Sequence, residues 1–416
     1  MRGTLAHPVP AGMRDLLPPE AFRHADLGRR LVRSFELFGY ELVSLPLFEF
    51  AEVVERGPAL EPHEVLRFVE PESGSVVSLR PDMTPQVARL VATRLGDLPG
   101  PVRLCYQGSV LRRLRERARR HRQIPQAGVE LIGRGGPDGD VELLAVAAAS
   151  ARAAGLEQFV IDLGHAKIAG ALVEPLDPRQ AHDILEALEV KDESEVARRA
   201  ERSGLEPNER AALAALPALH GGEEVWRRAE PVLTGTRAES AMRELKSLWE
   251  SARTLELGPR ILLDLGETRD LAYYTGALVH IHAEGPGRPI GSGGRYDGLL
   301  GRFGAPSPAV GFAFGLDDVA WALERAGKLR ALPVRVLMVG EAPELERALR
   351  QLDIAVARAP DTDANAYARA FRYTHRLDAG SGGTRLVHLA GGQEQTLPSS
   401  PERAAELVRL AVSADG

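Results

Sequence analysis

The chain is poor in cysteine. Its 416 residues include one, Cys105, which excludes an internal disulfide and any metal site built from several thiolates. Cys105 sits in the strand-like run Val102-Arg103-Leu104-Cys105-Tyr106 and reads as a buried structural thiol rather than a nucleophile. Aromatic residues are scarce as well, 5% of the chain. No apolar run reaches the ~18 residues that cross a bilayer, and the first residues carry no apolar signal core. A cytoplasmic protein without a membrane partner is expected. Excess positive charge is also missing: the net charge is -6 and the pI about 6.1. That argues against a chain whose main work is gripping a long nucleic acid, while leaving room for a local basic patch. There is no internal repeat and no low-complexity tract.

What is present is an ordinary soluble composition, 44% hydrophobic and 26% charged, over a length that predicts two or three domains. The Pro/Gly-punctuated stretch from Pro8 to Pro19 cannot be a long helix. Leu27, Leu31, Phe35 and Phe38 then recur at helical spacing over 20–38, and 41–48 reads as a strand that Pro46 marks as an edge or a bend. Residues 66–70 and 76–80 flank the turn Pro71-Glu72-Ser73-Gly74 and predict a hairpin. It ends in Arg80-Pro81-Asp82-Met83-Thr84-Pro85, where Thr84 can cap a helix with Pro85 at its first position. A ligand amine or hydroxyl could be held at this junction; ordinary capping chemistry reads equally well.

Two strand-like segments follow, 103–114 and 121–133, joined by a run dense in arginine. Such a loop suits an anion and is equally often a solvated hairpin tip. Gln126 and Glu130 share one face of the second strand, placing an amide and a carboxylate in one cleft. Residues 138–155 form an alanine-rich helix and 159–164 a buried strand. From 165 to about 257 the pattern turns helical and more polar, a helical insertion without an assignable motif. Residues 260–266 resume the sheet and deliver Arg269-Asp270-Leu271-Ala272-Tyr273-Tyr274-Thr275-Gly276. Arg269 offers a fixed fork for a carboxylate or phosphate, and adjacent tyrosines on extended chain face opposite ways. On these residues alone a packed tyrosine pair beside a surface arginine is the better reading, since structural roles outnumber sites. A glycine-rich loop over 290–298 and a small/large strand over 309–316 follow. Gly291-Ser292-Gly293 lacks the strand–loop–helix setting of a dinucleotide site. A boundary falls near 327–333, and 334–416 alternates strand and helix as a small α/β domain with parallel strands.

In their order, Leu79 to Thr84, Tyr106 to Arg112, Gln123 to Glu130, Arg269 to Gly276, Gly293-Gly294-Arg295-Tyr296-Asp297-Gly298 and Gly311 to Leu316 resemble the class II aminoacyl-tRNA synthetase core, and within it the histidyl-tRNA synthetases. The resemblance covers most of 8–325 apart from the insertion. It implies an α+β fold: a mainly antiparallel sheet of six to seven strands flanked by helices over 1–328, with the insertion at about 165–257 and the small α/β domain at 334–416. It also implies a histidine pocket. Asp82 and Thr84, with Met83 between them, would hold the amino group. Gln126 and Glu130 would contact amine and imidazole. Arg112 would touch the carboxylate or an α-phosphate, while Arg269, Tyr273 and Tyr274 close over the ligand. No cofactor and no metal is implied.

Two departures bear on function. The synthetase needs a Glu two residues after the arginine, for adenine, and here the residue is Leu114. Its third motif ends in Gly-Leu-Glu-Arg, with the Arg on the γ-phosphate, and here the run is Gly315-Leu316-Asp317-Asp318. A carboxylate in place of that cation repels the polyanion, by roughly 4 kcal/mol per contact at ~4 Å and an effective dielectric of about 20. Smaller departures are Pro125 and Ala272. A kept amino-acid half and a damaged ATP half resemble the synthetase paralogues that serve as regulatory subunits of ATP phosphoribosyltransferase. The implied role is non-catalytic: activation of a short catalytic subunit in the first step of histidine biosynthesis, with L-histidine as feedback effector, by a homodimer within a hetero-oligomer. Allosteric coupling of that kind is typically about 1–3 kcal/mol. Acids and bases nearly balance beyond 330, so tRNA is not an expected partner. The alternative is an active histidyl-tRNA synthetase, which ATP–pyrophosphate exchange separates.

Overall fold

Alternating apolar and small or polar residues make Val102–Leu111 and Gln123–Ile132 a pair of ten-residue strands. They pair antiparallel from Val102 opposite Ile132 to Leu111 opposite Gln123. The computed structural model describes residues 9–57, 65–112, 121–255, 257–258, 260–268, 274–360 and 363–414. Arg269, Asp270, Ala272, Tyr273, Leu114 and the arginine-rich run at 113–120 lie outside them. The chain divides into two units, Met1–Leu329 and Arg330–Gly416.

In the first unit the hairpin continues into Ala309–Gly315, Gly291–Arg295, Ala277–His282 and Val160–His165, each antiparallel to the strand before it. Glu41–Leu42 adds a parallel edge on one side. Arg260–Asp264 and then His220–Gly221 close the other side, giving nine strands. The resemblance implied six to seven. The two edge strands at 41–42 and 220–221 are two residues each, too short to show any periodicity.

Strand parity sorts the core. Ala127, Val129 and Leu131 join Leu27, Leu31 and Phe35 of the helix Glu20–Leu37, together with Leu143 and Leu144 of Asp138–Ala153. Ile124 and Ile132 join Met83, Val87, Tyr106 and Tyr296 on the opposite face. Burying each large apolar side chain is worth about 1.5–3 kcal/mol, so a one-residue slip would be prohibitive.

Three local expectations are corrected. Residues 41–48 are not one strand: Glu41–Leu42 belongs to the large sheet and Phe48–Phe50 to a separate three-stranded sheet. Between them the Leu45 and Pro46 carbonyls turn to accept from the buried guanidinium of Arg80, at 2.8 and 3.2 Å. Thr84 opens the helix Thr84–Leu90 but does not cap it; Asp82 Oδ1 accepts the Thr84 N–H at 2.9 Å instead. The glycine-rich run is an interior strand rather than a loop, because side chains there would collide with the partner strands: a Cβ on Gly293 would fall against the Gly311 carbonyl.

The helices of the insertion are Ala166–Val173, Pro178–Glu189, Glu193–Glu201, Pro207–Ala215, Val225–Leu233 and Glu239–Thr254. Pro178 and Pro207 stand at the first position of their helices, where the missing N–H is unneeded. Among the described residues no helix is long and apolar enough to cross a membrane.

The second unit is a five-stranded sheet ordered Ala355–Arg358, Arg335–Val339, His375–Gly380, Gly383–His388, Glu394–Leu397. The first three strands are parallel, but the last two pairings are antiparallel, which corrects the all-parallel expectation. His375–Gly380 escapes a hydrophobic pattern because Arg376 and Asp378 occupy one face as a two-bond ion pair, both bonds 2.7 Å.

Candidate ligand pocket

On the Met83 face of the sheet, four chain segments converge on one carboxyl group. Glu130 lies on the strand Gln123–Ile132 and is 1% exposed. Thr84 Oγ1 donates to its Oε1 at 2.7 Å and Tyr106 Oη to the same oxygen at 3.3 Å. Tyr296 Oη donates to Oε2. Space for this knot comes from glycine: Gly311, directly opposite Glu130 across the sheet, leaves no room for a Cβ beside the carboxyl, and a Cβ on Gly128 would sit 2.7 Å from Tyr106 Oη. Such close approach is what glycine permits.

Burial pushes the Glu130 carboxyl up to about 8, with the nearby Asp82 adding to the shift, while the hydrogen bonds from Tyr296, Thr84 and Tyr106 oppose it. Burial also drives the Tyr106 phenol well above its ordinary value, and Glu130 adds to that. The cluster therefore carries a carboxyl poised near neutrality among hydroxyl donors, as functional carboxyls often are.

Beside this cluster stands Asp82, half-buried, with Arg112 Nη2 3.5 Å from its Oδ2. Arg112 also donates from Nε to the Pro81 carbonyl at 2.8 Å, so its orientation is fixed by the segment that carries Asp82. Met83 is 1% exposed and belongs to the apolar cluster on this face of the sheet. Gln126 is half-buried one helical-free step of four residues from Glu130 on the same strand, at the same parity as Ile124 and Ile132. Tyr274 is half-buried and packs against the Met83 cluster. Asp82, Met83, Thr84, Glu130, Arg112 and Tyr274 thus surround one region; Arg269 and Tyr273 lie outside the described residues.

Tyr106 and Tyr296 were not singled out from sequence. The signal for Tyr106 was its parity with Leu104, opposite Gly128. For Tyr296 it was the Arg and Asp that flank it. Arg295 Nε donates to Asp140 Oδ1 at 3.0 Å and its Nη1 meets Asp297 Oδ1 at 3.0 Å, which locks the backbone that aims the phenol at Glu130.

A second region adjoins Ile124 and Gln123: a cavity of about 960 Å³ bordered by Arg14, His24, Arg288, Asp317, Asp318 and Trp321 among others. Asp318 is 5% exposed and accepts from Arg288 Nη2 at 2.6 Å. Asp317 Oδ1 lies 2.5 Å from Arg14 Nη2 and 3.5 Å from His24 Nε2. Burial lowers the His24 pKa and Asp317 partly offsets it. Arg14 and Arg288 both face carboxylates. Among the described residues no group of three or more His, Cys, Asp or Glu could hold a metal ion. Cys105 is fully buried, and burial pushes its thiol up to about 12.

The family profile described as Histidyl-tRNA synthetase matches residues 12–319. A protein of Anaeromyxobacter sp. (strain Fw109-5) named ATP phosphoribosyltransferase regulatory subunit is 43% identical, over 79% of this chain and 96% of its own. One of the same name from Moorella thermoacetica is 38% identical over 84% of this chain and 96% of its own. Another, from Syntrophotalea carbinolica, is 34% identical over 94% and 95%. Among solved structures, an ATP phosphoribosyltransferase regulatory subunit/histidyl-tRNA synthetase from Bacillus halodurans C superposes with a TM-score of 0.78 at 27% identity, covering 90% of this chain and 98% of that one. The histidyl-tRNA synthetase of Nostoc sp. PCC 7120, at 21% identity, shares the fold with a TM-score of 0.79 over 99% of this chain and 100% of that one.

Proposed function

The chain belongs to the histidyl-tRNA synthetase family and, within it, to the ATP phosphoribosyltransferase regulatory subunits; from that membership we propose that it binds L-histidine in the Glu130 pocket and transmits its occupancy to a short catalytic subunit. It is a non-catalytic subunit with a regulatory role in histidine biosynthesis. The catalytic partner joins ATP to phosphoribosyl pyrophosphate, and this chain, as a homodimer within a hetero-oligomer, raises that activity and lowers it again when histidine is bound.

The pocket suits such a ligand. An imidazole offers one N–H and one acceptor nitrogen, or two N–H groups when protonated. Glu130 can accept from either form, and the Tyr106 and Tyr296 hydroxyls can give or take as the ligand requires. Asp82 suits an α-ammonium and Arg112 an α-carboxylate. Gln126, Arg269, Tyr273 and Tyr274 complete the assignment as walls of the same pocket.

The observation that carries the non-catalytic reading is the pair of ion pairs Arg288–Asp318 and Arg14–Asp317. In the synthetases the position of Asp318 holds the cation for the γ-phosphate. Here a carboxylate stands there and occupies an arginine besides. Adenylation depends on preorganised positive charge, so an ATP site of the synthetase kind is lost. The test has two parts. Histidine-dependent ATP–pyrophosphate exchange should be absent, and robust exchange would restore the working-synthetase reading. Adding the chain to a short catalytic subunit should raise phosphoribosyl-ATP formation, and histidine should reverse the gain; unchanged turnover on mixing overturns the proposal.

A further inference from the structure

Between Gly294 and Gly298 successive side chains serve opposite faces of the large sheet. Tyr296 turns to the Glu130 face, where it is 2% exposed and donates to Oε2. Arg295 turns to the other face, where its strand partner Val310 packs in one core with Leu143 and Leu144 of the helix Asp138–Ala153. There Arg295, 6% exposed, meets Asp140, 7% exposed, on the first turn of that helix. Nε donates to both carboxylate oxygens, at 3.0 and 3.2 Å. Nη1 donates to Asp297 Oδ1 at 3.0 Å and to the Arg134 carbonyl at 3.4 Å. Gly136 and Gly139 make room for the pair: a Cβ there would stand 2.8 Å from Asp140 Oδ2 and 2.9 Å from Arg295 Nη2 respectively.

The Arg295 knot fixes what stands on the pocket side. The Arg295 carbonyl accepts the Thr275 N–H at 2.7 Å, and Thr275 Oγ1 accepts the Asp297 N–H at 2.9 Å. Asp297 Oδ1 accepts the Ala309 N–H at 2.9 Å, and the Tyr296 N–H donates to the Ala309 carbonyl at 2.9 Å. Tyr296 is thus a single residue between two bolted neighbours. Thr275 brings Tyr274 with it: the Tyr274 ring lies over Gly294, where a Cβ would stand 3.0 Å from its Cδ1. These bonds hold the two segments to each other, while Asp140 holds them to the helix layer. The helix carrying Asp140 is seated at its far end, where Arg30 Nη1 of the helix Glu20–Leu37 donates to the Ala154 carbonyl at 2.7 Å and Ser150 Oγ to Ser34 Oγ at 2.9 Å. A buried ion pair is a poor stabiliser, because desolvation offsets its attraction. Burial indeed pushes the Asp140 carboxyl above its ordinary range although Arg295 opposes this. The better-attested use of such a pair is to fix one arrangement.

We propose that Asp140 is a positioning residue for the amino-acid pocket: from the opposite face of the sheet it holds Arg295, and so fixes Tyr296 on Glu130 and Tyr274 over Gly294. This rests on the histidine reading of the Glu130 pocket. An aspartate that only pinned the helix to the sheet would register in stability alone. One that positions Tyr296 also governs the ionisation of Glu130, because the Tyr296 hydrogen bond favours the charged carboxylate.

Two readouts separate these roles, and the first needs no ligand. The stability gap between the Glu130→Gln and Glu130 forms grows with pH and levels off above the pKa of the buried carboxyl. In an Asp140→Asn background the Tyr296 bond is loosened, so the levelling-off should move upward by about half a pH unit, a share of one hydrogen bond. Thr275→Val keeps the side-chain shape and loses the Asp297 bond; it is the milder change and should act in the same direction. The second readout is histidine affinity by calorimetry. Asp140→Asn should lower it about fivefold, within the usual range for substitutions that do not touch the ligand. That loss should disappear in a Tyr296→Phe background, where the bond it acts through is already gone. Levelling-off at the wild-type pH in both variants, or an equal affinity loss with and without the Tyr296 hydroxyl, overturns the role of Asp140 and leaves the pocket reading standing. A shifted levelling-off in a protein that binds no histidine overturns the histidine reading and leaves Asp140 acting on Glu130.

Discussion

Glu130→Gln should stabilise the ligand-free protein, by an amount that grows with pH. In the folded chain the Glu130 carboxyl is pushed from 4.5 up to about 8, burial being the largest cause. Between those values the unfolded carboxyl has lost its proton and the folded one keeps it. The folded state then binds more protons, so unfolding free energy falls as pH rises through this window. Each unit is worth about 1.36 kcal/mol, so at pH 7 the side chain destabilises the fold by about 3 kcal/mol relative to a group that never ionises. Glutamine is such a group, and it has the shape of the protonated acid. Its amide can donate to Tyr296 while its oxygen accepts from Thr84 and Tyr106, because hydroxyls both give and take. Urea unfolding of both forms from pH 4.5 to 8.5, followed by the Trp226–Trp249 pair of the first unit, reads the difference directly. It should be near zero at pH 4.5, about 3 kcal/mol in favour of Glu130→Gln at pH 7, and level off above pH 8. Histidine binding should weaken in the same variant. A stability difference that does not change with pH would mean that Glu130 titrates at its ordinary value, and the account of the pocket as a poised buried carboxyl would fall.

Two other outcomes follow from the sites described. Asp318→Asn removes a buried carboxylate 2.6 Å from Arg288 and makes the local charge more positive by one; it should cost about 1–2 kcal/mol, since the arginine is partly exposed, and raise the affinity of the adjoining cavity for inorganic triphosphate severalfold, read by Trp321 fluorescence, whereas unchanged affinity would mean that Asp318 does not govern charge there. Cys105, fully buried with its thiol pushed up to about 12, should resist a thiol-specific disulfide reagent at pH 8 and label only on unfolding; fast labelling of the native chain would contradict its burial.

Much of the fold was legible in the sequence where elements are long. The helix at 20–37 and the paired strands at 102–111 and 123–132 announce themselves because their periods run over many residues. The short edge strands do not. The strand Gly291–Arg295 was hidden for a different reason: its glycines serve close strand packing, which looks like loop composition. Of the pocket, Asp82, Thr84 and Glu130 were readable from motif order. Thr84 was assigned the wrong local chemistry, since a helix cap and a carboxylate partner use the same hydroxyl and only the tertiary neighbour decides. Tyr106 and Tyr296 were hidden because their function is a contact across 24 and 166 residues of chain.

The electrostatics of the two neighbouring regions run in opposite directions. At Asp317 and Asp318, carboxylates and arginines neutralise one another at 2.5 and 2.6 Å. At Glu130 the polar groups are also bonded, yet the carboxyl is held far from its ordinary ionisation and weakens the empty fold at neutral pH. A glutamine or a well-packed apolar residue would be more stable there. Local disadvantage of this kind is relieved by a ligand that brings a cation or a strong donor to the carboxyl, because binding stabilises the folded form by mass action. Stability of the first unit should therefore gain most from histidine at and above about pH 8, where the empty pocket is least favourable, and this pH-dependent gain should vanish in Glu130→Gln. Differential scanning calorimetry at fixed histidine concentration across that range measures it, and an equal histidine-induced rise in midpoint for wild type and Glu130→Gln would refute the link between the buried carboxyl and ligand recognition.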